Sequence, residues 1–354
     1  MNAEPAVSGR SLFGDQLEVP DKAPNNPLGY APTRRPVSIR RTSSLDVNWP
    51  EGRGGPARVI GTSRDIATAK DGTLRPIETT QINVLADHRV ITEISTRPHR
   101  EGIDRLVGAR AGGQMRSVLA DTLPNDKAAG SPLYFLLDDL AGVTLVSAWA
   151  WSVWEEDYLT SLPEEKFRRH AERMENVCIG YRTGSSALFA PKAGRTRQNT
   201  TPVVPLAHPL DPQGWHDLPS LEGCHFRRAR RIDVWREKDE LVIDAMFQDS
   251  AAMPDRIERV AVHEYGLTAR ADLASETLTT LVTHAGTLPF VECPAAQANA
   301  GVMVGTPLSE LRERVLERLR KTAGCTHLND ALRSLADVPS LAKSLTAVEG
   351  LTEI

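Results

Sequence analysis

The sequence predicts an α+β protein built from two divergent copies of a small antiparallel sheet with helices on one side, packed as a pseudo-dimer. Three observations support this prediction. Short segments of alternating apolar residues, separated by Gly, Pro and Asp, are typical of antiparallel strands. Amphipathic helical patterns follow these segments. The same order of patterns then occurs a second time along the 354 residues, which indicates an internal duplication.

Composition divides the chain into four parts. Residues 1–35 are rich in Pro, Asn, Gly and Ser with few apolar residues, which predicts a disordered arm. Residues 36–180 contain the first set of patterns and form the N-terminal half. Residues 181–222 are rich in Gly, Pro, Thr and Asn, so an irregular connector is expected there. The second set of patterns, in residues 223–345, forms the C-terminal half.

Each half begins with strands and ends with helices. In the N-terminal half, strand patterns precede helical patterns near residues 105–121 and 133–154. In the C-terminal half, two pairs of strands are expected to turn at Lys238-Asp239 and near Asp272-Leu273. Three helical segments follow, and the last of them is THLNDALRSLADV at residues 326–338.

The two halves can be aligned at several points that keep the same order. The segment SPLYFLLDDLAGV matches THLNDALRSLADV, with apolar residues at the same positions. Chance agreement between two helix faces is the alternative explanation, but it does not account for further matches in the strands. Those matches place Arg40 with Arg227, Arg41 with Arg228, Asp65 near Asp249 and Ala86-Asp87 with Ala271-Asp272.

Bulk composition argues against several classes of protein. The formal net charge is −4, with 42 basic and 46 acidic residues, so the overall charge does not favour nucleic acid or an anionic membrane. The longest apolar runs are interrupted by charge or glycine, and we expect no membrane-spanning helix. The N-terminus lacks a basic-then-apolar signal pattern, and four widely spaced cysteines are too few for a disulfide scaffold. We therefore predict a cytoplasmic protein with reduced thiols, in which Cys178 and Cys224 are structural.

Residues able to bind a metal or act as nucleophiles are distributed unequally between the halves. Packing alone does not explain why the scaffold pattern occurs in both halves whereas sulfur and imidazole groups occur in one. The alignment places Glu78, Thr96, Gly130 and Pro132 where the C-terminal half has His263, Cys293, Cys325 and His327. We therefore predict a functional C-terminal half and a degenerate N-terminal half.

Cys325 and His327 lie at the start of the last helix. Gly324 provides a turn, and Thr326 is expected to cap the helix. Backbone N–H groups and the positive end of the helix dipole favour a thiolate, which would lower the pKa of Cys325. The alternative is that Cys325 is a buried core residue and His327 a polar flank.

Cys293 and His263 have related positions. Pro294 is favoured at the first helical position, which makes Cys293 the expected cap of the next helix. A small buried cysteine would fit the alanine-rich segment equally well. In the strand HEY, alternation places His263 and Tyr265 on one face and Glu264 on the other. If that face points toward the helix starts, His263 can meet both cysteines.

Together these four residues form a candidate metal set. Two thiols and two imidazoles, from His263, Cys293, Cys325 and His327, suit Zn²⁺ or Fe. A structural ion would use all four, whereas a catalytic ion would keep an open position. A metal-free alternative is a nucleophilic Cys293 or Cys325 with a histidine as base.

Two residues are candidates for contacting a substrate. Arg231 belongs to the basic run RRARR at residues 227–231 and could bind an anionic group, although a solvated edge strand is the other interpretation of that run. Tyr265 shares the strand face of His263. No Gly-rich phosphate loop, nucleophile elbow or H-E-x-x-H motif is present in the sequence.

Several segments resemble the actinobacterial branch of a bacterial family, domain of unknown function 2889. These are RRIDVWREKDELVIDAMFQDS, VHEY, LPFVECPAA and GCTHLNDALRSLADV, with IRRTSSLDVNWPEG and ENVCIGYRTGS upstream. The resemblance implies that the histidine of HEY, the cysteine of ECP and the CTHL pair are typical of the family. It implies no reaction. A weaker likeness is to iron–sulfur scaffold proteins, which also place cysteines at helix starts beside a small antiparallel sheet.

These arguments lead to three hypotheses about function. The first is a cytoplasmic metal- or thiol-dependent enzyme of the hydrolase or lyase type that acts on a small, anionic organic molecule. The second is a non-catalytic metal-binding or carrier protein that uses the same Cys and His residues. The third is a structural subunit, which a wide separation of the four residues would favour. No nucleic acid or membrane partner is expected, and the sequence gives no oligomeric state.

Overall fold

One large antiparallel sheet organises the residues that the computed structural model describes, which are 9–10, 16–17, 22–155, 158, 163–188, 199–254 and 258–349. Two short strands, β1 (Gly9–Arg10) and β2 (Gln16–Leu17), form a separate pair. The large sheet contains β3 (Ser38–Asn48), β4 (Ala57–Thr68), β5 (Leu74–Asp87), β6 (Val90–Arg97), β7 (Thr201–Val203), β8 (His225–Glu237), β9 (Glu240–Ala252), β10 (Arg259–Asp272) and β11 (Leu278–Ala285).

The strand order joins the two halves edge to edge. It runs β11-β10-β9-β8-β3-β4-β5-β6, and β7 pairs with the start of β10. At the centre, β3 and β8 pair antiparallel over their length, from Ser38 opposite Trp235 to Asn48 opposite His225. We expected two small sheets packed together; the structure has one continuous sheet, because the first strand of each half hydrogen-bonds to the other.

Alternation along the strands gives the sheet two different faces. On β9, Leu241, Ile243 and Phe247 face a core shared with the helices, whereas Met246 faces a smaller cluster on the other side. The helices are α1 (Met115–Thr122), α2 (Pro124–Ala129), α3 (Pro132–Asp138), α4 (Leu140–Val146), α5 (Trp151–Trp154), α6 (Glu164–Met174), α7 (Ala296–Ala300), α8 (Leu311–Arg318), α9 (Thr326–Ser334) and α10 (Val338–Glu349).

Two helices illustrate why the apolar stripes of the sequence are buried. In α9, Leu328 and Leu332 follow each other at i and i+4 and are buried in the core beneath β8–β10. The stretch Pro132–Trp154, which includes α3, α4 and α5, is by length and composition apolar enough to cross a membrane. In the structure, 61% of its most apolar window is buried inside the protein.

The second face of the sheet is covered by segments before β3 and β8. Ala31, Leu206 and Trp215 are buried there against Ala229 and Met246. Part of the predicted arm therefore lies on the sheet: residues 22–35 are described. Within them, Arg34 forms an ion pair of 2.7 Å with Asp211 of the connector. The remaining arm residues lie outside the described ranges, apart from β1 and β2.

The basic run on β8 lies at the middle of the sheet. Arg228 and Arg230 point to the helical side, where their guanidinium groups lie 4.9 and 5.1 Å from the centre of the Phe247 ring. Arg231 is on the other face, where it pairs with Asp233 and Asp244. The interpretation as a solvated edge strand is wrong, because β8 has hydrogen-bonded neighbours on both sides.

Candidate metal centre

Asp249 and His263 face each other on neighbouring strands. They are paired in the register of β9 and β10, next to a β-bulge between Ala261 and His263. The bulge returns His263 to the helical side of the sheet, together with Tyr265. Nδ1 of His263 lies 3.4 Å from Oδ2 of Asp249. The sequence prediction that His263 and Tyr265 share one face is confirmed.

His327 completes a three-residue cluster from the first turn of α9. Its ring stacks on that of His263, with 3.5 Å between centroids and 17° between planes. Its Nε2 lies 3.6 Å from the same Oδ2 of Asp249. Among the described residues, Asp249, His263 and His327 form a group in which one ligand atom of each residue lies within 4.8 Å of those of the other two. Cys293 and Cys325 lie outside it.

Arg228 holds the carboxylate of Asp249 in place. Nε and Nη2 of Arg228 donate hydrogen bonds of 2.8 and 2.9 Å to its two oxygens. Burial alone would raise the pKa of Asp249, but Arg228 and His263 hold it well below its usual range. Asp249 is therefore ionised at neutral pH, in a position with no solvent exposure.

The two histidines are neutral at pH 7. Burial lowers the pKa of His263, and the nearby carboxylate of Asp249 only partly opposes this effect. Burial and the neighbouring His263 lower the pKa of His327 well below its usual value. Neutral imidazole is the form that binds metals. Nδ1 of His263 is buried and makes no well-formed hydrogen bond within the described residues, since its contact with Asp249 is long, at 3.4 Å.

The spacing of the three ligand atoms fits a metal ion better than direct hydrogen bonds. Zn–N and Zn–O bonds of about 2.1 Å place neighbouring ligand atoms about 3.4 Å apart in a tetrahedral site. The two distances from Oδ2 of Asp249, 3.4 and 3.6 Å, are close to this value. A buried nitrogen without a hydrogen-bond partner is otherwise costly. The cluster thus supplies two nitrogens and one oxygen that lie within 4.8 Å of one another.

Three cysteines lie close to the cluster and line the same cavity as the histidines. They are Cys178, Cys293 and Cys325, and all are free and buried. Burial raises the pKa of Cys325 despite opposing backbone N–H groups, raises that of Cys178 to about 12, and raises that of Cys293 well above its usual value. The expected thiolate at Cys325 is therefore wrong, because desolvation outweighs the helix start.

The helix starts differ in detail from the sequence prediction. Cys325 itself is the residue before the first turn of α9, and Thr326 is the first helical residue. Cys293 begins a short 3-10 helix, Cys293–Ala295, whose capping position is Glu292. Sγ of Cys325 lies 3.9 Å from Nδ1 of His327, the ring nitrogen that points away from Asp249. The thiol therefore contacts the back of a cluster imidazole.

A cavity of about 460 Å³ lies above the cluster. His263 and His327 form part of its wall, and Asp249 lies beneath them. Most of its lining is apolar, including Val146, Trp149, Phe167, Met174 and Phe290. A size of this order is typical of sites for small organic molecules.

The structure brings together most, but not all, of the predicted site residues. His263, Cys293, Cys325 and His327 share the cavity, and Tyr265 is fully buried behind it. Arg231 is a correction: it is on the opposite face of the sheet and bound to two aspartates, so it cannot contact a ligand in the cavity.

The sequence does not identify Asp249 and Cys178 as residues of the site, and it indicates the wrong arginine. The sequence indicates Asp249 only through its match with Asp65 and gives it no place among the candidate ligands. Cys178 was interpreted as structural, but it lines the cavity next to Cys293. The anchoring arginine is Arg228, three positions before Arg231, because alternation on β8 directs Arg228 toward the helices.

The fold and the site define a class: a single-sheet α+β protein with helices on one face and a buried carboxylate–imidazole cluster beside an apolar cavity. Within that class, residues 226–340 match the model of a family described as protein of unknown function (DUF2889). The matched region extends from β8 into α10 and includes Asp249, His263 and His327. Comparison with curated proteins and with solved structures found no significant match.

Proposed function

We propose that this protein is a metal-dependent enzyme of the hydrolase or lyase type that acts on a small organic molecule. The observation that carries the proposal is the proximity of Asp249, His263 and His327, whose ligand atoms all lie within 4.8 Å of one another at the floor of the cavity. Two imidazoles and one carboxylate suit Zn²⁺ or Fe²⁺ and leave coordination positions for water or substrate.

The residues of this chain have distinct roles in the proposal. Asp249, His263 and His327 hold the ion, which when bound would polarise a substrate oxygen or acidify a water molecule. Arg228 positions Asp249 through two hydrogen bonds and acts on the site only through that carboxylate. The thiol of Cys325, next to Nδ1 of His327, helps to fix the orientation of that ring.

A non-catalytic carrier would use the same three ligands, and an exchangeable position distinguishes the two functions. Cobalt(II) loaded into the purified protein reports its coordination through its visible absorption. Addition of azide should change that spectrum if a position is open to the cavity. An unchanged spectrum would favour the carrier function over the enzyme.

A thiol-based enzyme is a second candidate, favoured by one contact chain. Sγ of Cys325 lies 3.9 Å from Nδ1 of His327, and Nε2 of His327 lies 3.6 Å from Asp249. This is the order of nucleophile, base and orienting carboxylate in cysteine hydrolases. Rapid alkylation of Cys325 by iodoacetamide in metal-free protein would support it. The burial that raises the pKa of Cys325 makes us rank it second.

We also propose that the two halves arose by duplication and that the N-terminal copy has lost the site. Asp65 pairs with Glu78 across β4 and β5, next to a bulge, as Asp249 pairs with His263 across β9 and β10. Arg41 binds Asp65 with two hydrogen bonds of 2.7 Å, as Arg228 binds Asp249. These matched contacts support the duplication and a structural role for the N-terminal half. A cytoplasmic location, supported by four free cysteines, is a further part of the proposal.

Elemental analysis of the purified full-length protein tests the metal proposal directly. We expect roughly one zinc or iron ion per chain, at the stoichiometry typical of a single site. His263→Ala should abolish the bound metal. His284→Ala, which removes an exposed histidine from β11, serves as the matched control and should retain it. Metal-free wild type after growth with added zinc and iron, or full metal content in His263→Ala, would overturn the proposal.

A further inference from the structure

Charge is distributed unevenly around the cavity. Among the described residues that line it, none is Asp, Glu or Arg, and the one fully cationic side chain is Lys166. The apolar part of the wall is aromatic in several places: the Tyr181 ring contacts both Phe290 and His170 edge to face, at 5.7 and 6.5 Å between centroids. The described part of the cavity wall is therefore mostly apolar and carries one full positive charge.

Helix α6 places that cation at the rim. Lys166, His170 and Met174 are spaced at i, i+4 and i+8, so they lie on one helix face, and all three line the cavity. Lys166 and His170 are exposed, whereas His263 and His327 at the floor are largely buried. The basic groups of α6 thus surround the entrance rather than the floor.

Lys166 differs from two of the three arginines on the same helix, and the third, Arg173, does not line the cavity. Arg169 pairs with Glu165 at 2.5 Å and Arg168 with Glu172 at 3.6 Å, so both charges are balanced within α6. Lys166 pairs with no carboxylate in the described part of the chain. An unbalanced cation beside an apolar cavity attracts an anionic group of a ligand more than a neutral or cationic one.

We propose that the cavity binds a small apolar monoanion, such as an aryl or alkyl carboxylate. Its carboxylate lies beside Lys166 at the rim, and its apolar body lies between Trp149, Phe167 and Phe290 with its far end near His263 and His327. This inference deepens the proposed function by naming the substrate class, and it rests on that function only for the reaction at the floor. Lys166 takes the role that the sequence had suggested for Arg231.

Three probes of the same shape test the charge preference. They are naphthalene-2-carboxylate, 2-naphthalenemethanol and 2-naphthylmethylamine, and their dissociation constants can be measured by calorimetry with the full-length protein. We expect the carboxylate to bind about fivefold more tightly than the alcohol, the size expected for a partly exposed ion pair, and the ammonium to bind weakest. Lys166→Met should reduce the ratio to about one, and Lys166→Glu should reverse it. Lys70→Met, at an exposed hairpin, is the matched control and should preserve it.

A second variant tests the position of the apolar body. Ala148 lines the cavity from an exposed position, so Ala148→Trp can fill the space without disturbing the core. It should weaken the binding of both the carboxylate and the alcohol by at least about tenfold, because the indole ring occupies the space that the naphthalene ring needs. Equal affinity of wild type for the three probes, an unchanged ratio in Lys166→Met, or no binding of any probe would each overturn the inference.

The same titrations separate this inference from the metal proposal. They are performed on protein treated with a chelator and on protein loaded with Zn²⁺. A charge preference that persists in protein unable to bind Zn²⁺ would support the ligand class while the metal proposal fails. Tight Zn²⁺ binding without any preference among the probes would support the metal proposal and overturn the ligand class.

Discussion

The two halves of the sheet contain the same buried arrangement with a different outcome. In the N-terminal half, Arg41 binds Asp65, which is opposite Glu78. In the C-terminal half, Arg228 binds Asp249, which is opposite His263. Asp65 is close to a second carboxylate, and burial together with Asp65 raises the pKa of Glu78.

The difference shows which part of the arrangement is scaffold and which part is chemistry. An arginine–aspartate pair occurs in both halves, so it does not by itself indicate a functional site. The partner across the next strand marks the functional half, because among the described residues Asp249, His263 and the adjacent His327 form a three-ligand group whereas Asp65 and Glu78 do not.

The two arginine–aspartate pairs should be equally important for folding. Asp249→Ala and Asp65→Ala each leave a buried guanidinium without its main partner, which should lower the free energy of unfolding by about 3–5 kcal/mol. Urea denaturation of each variant against wild type measures the loss. If only one substitution destabilises the protein, the pair is not shared scaffold and the comparison fails.

Replacing the residue opposite Asp249 by its N-terminal counterpart should remove metal binding from the C-terminal half. His263→Glu gives that half the N-terminal combination and should weaken Zn²⁺ binding more than ~100-fold, beyond the loss typical of a residue that only supports a ligand. Competition with a chromophoric chelator measures the affinity. The mirror variant, Glu78→His, should create no second Zn²⁺ site, because Pro132 stands where the C-terminal half has His327. A gain of Zn²⁺ binding in Glu78→His would contradict this prediction.

A buried histidine at the junction between the halves, on the sheet face away from the helices, should make the stability of the protein depend on pH. His216 lies against β3, within 2.8 Å of Oγ1 of Thr42 and 3.0 Å of Oγ of Ser44. Burial, with a smaller effect of nearby arginines, lowers the pKa of His216 from 6.5 to about 3. Between these values the unfolded chain binds more protons than the folded one. The stabilisation is therefore complete above pH 6.5 and is lost as pH falls toward 3.

The expected loss attributable to His216 is about 2 kcal/mol between pH 7 and pH 5. His216→Gln keeps an amide in place of the imidazole but does not titrate, so this part of the pH dependence should disappear. Urea denaturation at both pH values measures the difference. An identical pH dependence in wild type and His216→Gln would show that His216 is not the responsible group.

The smallest effect is expected for an exposed contact between helices of the two halves. Lys127 of α2 and Glu313 of α8 form an ion pair of 2.9 Å, with 36% and 54% of their side chains exposed. Because solvent screens such pairs, Lys127→Ala should change the free energy of unfolding by less than about 1 kcal/mol. Thermal denaturation can detect this change. A loss comparable to that of Asp249→Ala would mean that surface contacts, not the buried pairs, join the halves.

Local features of the fold were predictable from the sequence. The turn at Lys238-Asp239 connects β8 and β9, and Lys238 has a φ of 55°. Alternation correctly placed His263 and Tyr265 on one face. The stripe of Leu328 and Leu332 identified the buried face of α9. These features depend on neighbouring residues, which a pattern of period 2 or 3.6 records.

Non-local features were not predictable. The pairing of β3 with β8 joins segments almost two hundred positions apart, and it is what turns the basic run into a central strand. The same applies to Cys178, which belongs to the N-terminal half but lines the same cavity as Cys293 of the C-terminal half. Desolvation also depends on the whole fold, so the raised pKa of Cys325 could not be inferred from its position at a helix start.

The central pair of strands has a consequence for assembly of the chain. Before β3 and β8 meet, each would be an open sheet edge, able to bind the wrong strand or another molecule. Both strands carry charged residues on the face away from the helices. These residues form ion pairs between the strands, Arg40 with Asp233 and Arg227 with Asp46. A shift of the register by one residue would separate both pairs and leave Arg40, Asp46 and Arg227 buried without these partners. The charges thus select the correct partner strand during folding and discourage aggregation through the edges.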